Sequence, residues 1–389
     1  MKTISRFIAA GALLAVVAIA QASQYSVTDL GNVGPNGQPF VLTNNGLISG
    51  TVANPSPYHA VLWFYGHETD LSAALGAAGF KGANSQAFGV NLWAQVAGYA
   101  ETSETDPHGE DFCGFGDHLV CLPFLSQFGF FRLTSPLPTL GGTNGVATTI
   151  NDFGQVAGYA ENTTKDTGCP APQQYEFKPV LWTTGRAREL HTVPGDPEGL
   201  AWAVNDKGQV AGTSGVCGPP SFINPITLQS LHAIFWDADG TPNNLGNLGG
   251  DGHGFGIFAK NLNNQGQVVG WSDLPGDTTF GAFIWSKATG MQALPGLLPG
   301  DVGIGALAIN DAGVVTGVWI NSAFNPTAVI WQNGVNGVMT NLNTLIPADS
   351  PLYLQTACSI NSFGQIIGFA VVTSGAHAGE THAYMLTPR

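Results

Sequence analysis

Acidic side chains set in turns are the residues of this chain best placed for chemistry. Asp196, Asp251, Asp301 and Asp349 each follow a Gly/Pro-rich turn, and Asn36, Asn84 and Asn144 occupy comparable places elsewhere. A ring of such oxygens would suit Ca2+, a cationic group or a sugar, although Asp and Asn also favour turns for local backbone reasons. A second set fills one insertion: Glu101, Glu104, Asp106, His108, Glu110, Asp111, Asp117 and His118. Carboxylates beside imidazoles can hold a cation or move protons. Their spacing matches no ligand motif, so a solvated acidic loop is the plainer reading. The binding candidates are therefore Asp196, Asp251, Asp301 and Asp349, with His108, Glu110, Asp111 and His118. No residue is assigned as catalytic, and Ca2+ at these positions is the one cofactor considered.

Cysteine chemistry gives firmer expectations. Cys113 and Cys121 share the acidic insertion, while Cys169 and Cys217 fall in corresponding loops further on. Four cysteines allow three pairings, and only Cys113–Cys121 with Cys169–Cys217 keeps each partner local. Cys358 lies in a strand-like run and reads as a buried small apolar residue. Enzyme signatures are missing: there is no Gly-x-Ser-x-Gly, His-Glu-x-x-His or P-loop. Gly303–Ala308 imitates a dinucleotide fingerprint without the strand–turn–helix setting. Asn162-Thr163-Thr164 matches a glycosylation acceptor, a short pattern with many accidental hits.

The elements that must position these residues recur. Ile150-Asn151-Asp152-Phe153-Gly154-Gln155-Val156-Ala157-Gly158 has versions at Val204–Gly212, Leu262–Gly270, Ile309–Gly317 and Ile360–Gly368, and looser ones at Val90–Gly98 and Leu42–Gly50. Each reads as two strands joined by a short turn with a left-handed Gly. In copy two Ala94 replaces that Gly, which costs on the order of 1–2 kcal/mol, so remodelling around Trp93 is expected. Third strands end in Trp63, Trp182, Trp236, Trp285 and Trp331, with weaker copies at Gly129–Arg132 and His382–Leu386. These tryptophans read as packing between repeats, and the recurrent His59, His232 and His382 as making a structural hydrogen bond. Tyr99, Tyr159, Trp271 and Phe369, each just after a closing Gly, are a possible sugar platform, with packing the plainer role.

A fourth strand follows each third, but the last copy stops after its third, and an orphan strand at Tyr25–Leu30 precedes the first. The expected architecture is all-β: a seven-bladed β-propeller of four-stranded antiparallel blades, in which strand 25–30 completes the last blade. The blades run approximately 38–71, 84–137, 145–190, 199–245, 254–294, 304–342 and 355–387. They make a single domain over residues 23–389. The long insertions, at Ala100–Gln127, Ala160–Phe177 and Ser214–Ser230, all join second to third strands, which makes their face the candidate functional surface.

The alternation of Ile-Asn-Asp-x-Gly-Gln-Val-x-Gly with His-Ala-apolar-apolar-Trp resembles the bacterial extracellular HAF-repeat family over nearly the whole chain. The resemblance implies an exported bacterial repeat protein and brings no activity or cofactor with it. Thr43, Ala94, Val314 and the weak third strand of blade two depart from the pattern. Residues 1–22 fit the same picture, with Lys2, Arg6, an apolar run and Ala20-Gln21-Ala22 reading as a secretory signal. A secreted or periplasmic product is expected.

Charge narrows the partners. With 12 basic against 26 acidic residues, the chain lacks the basic stripe needed for nucleic acid or an anionic membrane. The expected product is a monomeric binding or interaction module for a glycan or protein, acting through the long-loop face. The alternative is an exported polysaccharide hydrolase or lyase with acidic residues at the channel mouth. A carboxylate pair about 5–10 Å apart across one pocket would favour the enzyme.

Overall fold

Short strands of alternating pattern dominate the computed structural model, which describes residues 23–53, 57–127, 133–218 and 228–389. Residues 1–22, the expected secretory signal, the Gly129–Arg132 stretch and part of the Ser214–Ser230 loop lie outside the described residues. Gln38–Leu42, Leu47–Val52, His59–Phe64 and His67–Asp70 form the first four-stranded antiparallel sheet. Ser85–Val90, Gln95–Thr105, Leu119–Gln127 and Leu133–Pro136 form the second. Two more follow the same order at 145–189 and 198–244. The sheets at 258–293 and 303–341 repeat it and are joined by one parallel bridge, Phe280 to Gly303. In the last sheet, Tyr25–Asn32 pairs antiparallel with Thr381–Pro388, setting Thr28 opposite Met385. The two ends of the described chain therefore share one sheet, as the orphan strand predicts.

Blade two departs from expectation. Its third strand is Leu119–Gln127, earlier than Gly129–Arg132, with Phe124 opposite Gly98. Ser126 stands opposite Val96, where most other copies place a tryptophan, and the Phe124 ring fills the space beside Gly98 instead, which is why the Trp-ended pattern misplaces the strand. The closing glycines explain the pattern elsewhere. A Cβ at Gly212 would lie 2.9 Å from both Ala201 Cα and Trp236 Cζ3, and one at Gly158 would lie 3.0 Å from Trp182 Cζ3. Strand-one backbone and the strand-three indole thus occupy the space that any side chain would need. Trp182, Trp236 and Trp331 are fully buried. Each indole N–H donates to a backbone carbonyl, of Pro138, His191 and Pro295 respectively. They are packing groups, as their periodicity suggests.

The turn asparagines tie one repeat to the next. Asn205 Oδ1 accepts from Lys207 N and Gln209 N inside its own turn, while its Nδ2 donates to Asn263 O at 3.0 Å. The same sideways donation runs from Asn91 to Asn151 O, Asn151 to Asn205 O, Asn263 to Asn310 O and Asn310 to Asn361 O. Asn361 then donates to Thr43 O, back in the first repeat. Thr43 has a hydroxyl that accepts from Leu47 N but no amide to pass on. Asn45 Nδ2 makes the missing link to Leu92 O at 3.0 Å.

Copy two is not remodelled. Ala94 sits at φ +58° and keeps the Ala94 N to Asn91 O turn bond. Trp93 Nε1 donates across to Asp152 O at 2.9 Å, so neighbouring contacts hold the strained residue in place.

Candidate functional site

First strands surround two cavities, one near each of their ends. The turn-end cavity, about 210 Å³, is lined by matching residues of all seven copies, among them Asn91, Asn151, Asn205, Asn263, Asn310 and Asn361. The loop-end cavity, about 310 Å³, is lined unevenly by aromatic side chains and one lysine. Its volume lies at the lower end of the roughly 300–1,000 Å³ typical of small-molecule sites.

A β-bulge builds the loop-end lining. The register between first and second strands slips between Pro39 and Val41, Ala87 and Gly89, Ala147 and Thr149, Ala201 and Ala203, and Ala259 and Asn261. The skipped residues are Phe40, Phe88, Thr148, Trp202 and Lys260, and all five line the cavity. A bulge leaves one residue out of the ladder and re-aims its side chain. The repeat pattern Ala-x-x-apolar-Asn marks this position: the preceding Ala and the apolar-Asn pair beyond are kept in four of the five copies, while the first x varies from Phe to Thr to Lys. That contrast was the available signal, and counting strands by alternation passes over it.

Aromatic contacts continue around the wall. Phe40 and Phe88 stack at 4.1 Å between ring centroids, Phe88 and Tyr99 at 5.6 Å, and Tyr99 and Phe115 at 5.7 Å. Tyr99 and Tyr159, expected mainly as packing, reach this cavity. Phe112 and Phe115 come from the blade-two insertion, which the Cys113–Cys121 disulfide ties down (Cα–Cα 6.3 Å). Lys260 Nζ lies 3.8 Å from the Trp202 ring centroid. Desolvation lowers Lys260 to about 8, against an opposing push from the Cys358 thiol. The Cys358 thiol is free and half-buried, and burial raises it.

The acidic candidates are dispersed. Asp196 Oδ2 lies 2.7 Å from His232 Nδ1 and accepts from Ser214 Oγ. Asp251 pairs with His253 at 2.6 Å on an exposed turn, Asp301 accepts from Trp319 Nε1 at 2.8 Å, and Asp349 is exposed. None of the four lines the loop-end cavity. His59 and His382, like His232, meet a carboxylate, Asp70 and Asp29 respectively. A structural hydrogen bond is thus their common role.

The blade-two insertion is also more ordered than a solvated loop. Glu101, Asp106 and Glu110 are buried. Glu101 and Glu161 each stand three residues past a closing Gly, and each accepts from the backbone and side chain of an asparagine, Asn84 or Asn144. Asp273 holds the same place and accepts from the N–H groups of Gly254, Phe255 and Gly256. These carboxylates cap the turns entering first strands, a job the charge count could not show. Desolvation, with the Glu161 carboxyl beside it, pushes Glu110 up. Asp111 accepts from Gly116 N, His118 Nδ1 lies 2.9 Å from Gly109 O, and the His108 ring sits edge-on to Tyr175. These four candidates do not converge on one point.

Cys169 and Cys217 are paired as expected, with Cα–Cα 4.8 Å. Asp166 and Glu198 gather around this disulfide in the one group of potential metal ligands found among the described residues. Desolvation pushes Glu198 to about 9, so at neutral pH it is an uncharged acid packed 3.6 Å from Cys169 Sγ.

Comparison with known proteins bears on the fold. No family model matches the sequence, and no curated protein matches it. The β-propeller domain of the trilobed protease from Pyrococcus furiosus, described as having an open velcro topology, superposes with a TM-score of 0.50 at 9% identity, covering 93% of this chain and 94% of that one. A prolyl endopeptidase superposes with a TM-score of 0.50 at 10% identity, covering 94% of this chain and 51% of its own. The fold is a β-propeller. At such identities the likeness carries fold alone. Among the described residues, no helix of the propeller is long and apolar enough to cross a membrane.

Proposed function

We propose that the chain is an exported seven-bladed propeller that works as a binding module, with its ligand site in the loop-end cavity. The reading of seven blades closed into a ring is supported by the asparagine relay, which leaves Asn91 and returns through Asn361 to Thr43, and by the sheet shared between the chain ends. The binding reading rests on one observation: five bulged first-strand residues and a disulfide-tied loop together enclose an aromatic cavity. Aromatic walls supply apolar area and stacking faces with little entropy to lose. The described residues lining this cavity include no Asp or Glu. The carboxylate-pair hydrolase reading therefore draws no support from it.

Filling the cavity tests the proposal. Thr148→Trp places an indole in the lumen from a bulged position. Saturating ligand from a panel of small aromatic compounds and oligosaccharides is expected to raise the Tm of the wild type, as mass action requires. The same ligand should leave Thr148→Trp unshifted. A ligand that shifts both proteins equally binds elsewhere and removes this site.

A further inference from the structure

The described residues of the loop-end cavity hold a charge that they do not balance. Lys260 is half-buried and lines the cavity. Among the described residues it has no carboxylate and no hydrogen-bond acceptor; its partner is the Trp202 ring. An ammonium taken from water without a counter-charge is costly, and pairing offsets much of that cost. In a chain of 12 basic and 26 acidic residues, the cation nonetheless has no carboxylate partner among the described residues and stands beside aromatic walls.

We propose that the cavity binds an aromatic monocarboxylate, its ring against the Phe40–Phe88–Tyr99 wall and its carboxylate paired with the Lys260 ammonium. This rests on the reading of the cavity as a ligand site and adds the ligand's chemical class. A single ammonium neutralises a monoanion. A phosphate dianion would keep an unpaired charge in the aromatic site, and the neutral polar groups of the lining, among them Asn36, Gln38, Gln86 and Thr148, cannot cancel it. The acidic surface repels anions at long range, but screening limits that field to about 8 Å at physiological salt. The local ammonium decides at contact.

Proton linkage follows. The titratable groups lining the cavity with Lys260 are Tyr58, Tyr99 and Tyr159, and the buried Cys358 thiol is the ionisable group that acts on it electrostatically. Burial holds Tyr99 and Tyr159 protonated well beyond neutral pH. Lys260 changes charge as pH rises through about 8. A bound carboxylate favours its protonated form, so acid affinity should fall as pH rises above that point.

The test compares 2-naphthoate with uncharged 2-naphthamide by calorimetry on the mature wild type and on Lys260→Met. At pH 7 the acid should bind wild type about tenfold more tightly than the amide, the size of one charge-assisted hydrogen bond. That preference should vanish in Lys260→Met and, independently of any variant, in wild type at pH 10. Equal binding of acid and amide to wild type at pH 7 overturns the proposal while leaving the cavity a ligand site. A preference that persists at pH 10 or in Lys260→Met also overturns it. Binding of neither compound removes both readings.

Discussion

The two ends of the first strands differ in what varies. At the turn end every copy presents nearly the same residues, each asparagine is buried, and its side chain is spent on hydrogen bonds to its own turn and the next. At the loop end the matching position changes from Phe40 to Thr148 to Lys260, and the bulge aims each side chain into a cavity. Uniformity at one end holds sheet to sheet; variation at the other shapes a lumen. A repeat protein can divide structure from recognition in this way because one backbone geometry is stamped out in every copy.

Breaking the uniform end should have the largest effect. Asn205→Ala removes the bond to Asn263 O and leaves Lys207 N and Gln209 N without their acceptor. Urea denaturation should show a loss of roughly 2–4 kcal/mol, with ligand affinity of the remaining folded protein unchanged. A comparable loss of affinity would mean that the two ends are not separable.

At the variable end, Cys113→Ser with Cys121→Ser should cost about 2 kcal/mol, since the closed loop is short. It should also weaken ligand binding by freeing Phe112 and Phe115. Calorimetry on the double variant checks the second effect.

Glu198 gives a pH handle on the loop end. Its folded pKa is raised to about 9 above the usual carboxyl range, so the folded state holds a proton that the unfolded state has released. Stability from this group is present below the unfolded pKa, near 4.3, and is lost as pH rises toward 9. The slope should be at most about 1.4 kcal/mol per pH unit, and Glu198→Gln should flatten it in a series of denaturation midpoints. A wild-type midpoint that rises over pH 5–9 would contradict the protonated-acid assignment.

The smallest change sharpens the turn end. Ala94→Gly relieves a left-handed residue while gaining unfolded-state entropy. The net should be a stabilisation of up to about 1 kcal/mol, read as a higher Tm. A lower Tm would show that the Trp93 clamp needs the alanine.

Much of this was legible early. The Asn and Gly positions, the order of four strands, the pairing of the two cysteine pairs and the partner of Tyr25–Leu30 all follow from local rules of turn chemistry, spacing and unpaired edges. The acidic residues are where the sequence is least legible, because charge ordinarily implies solvent. Glu101, Glu110 and Glu161 are buried, and their partners Asn84, Gln174 and Asn144 lie 17 to 64 residues away.

The sequence alone determined the repeat, its turns and the strand that joins the chain's ends, because hairpins depend on residues only a few positions apart. Tertiary structure decided what faces the lumen. A bulge breaks the two-residue alternation by which facing is read, so Trp202 and Lys260 meet Phe40 and Tyr99 only when five repeats are brought around one cavity.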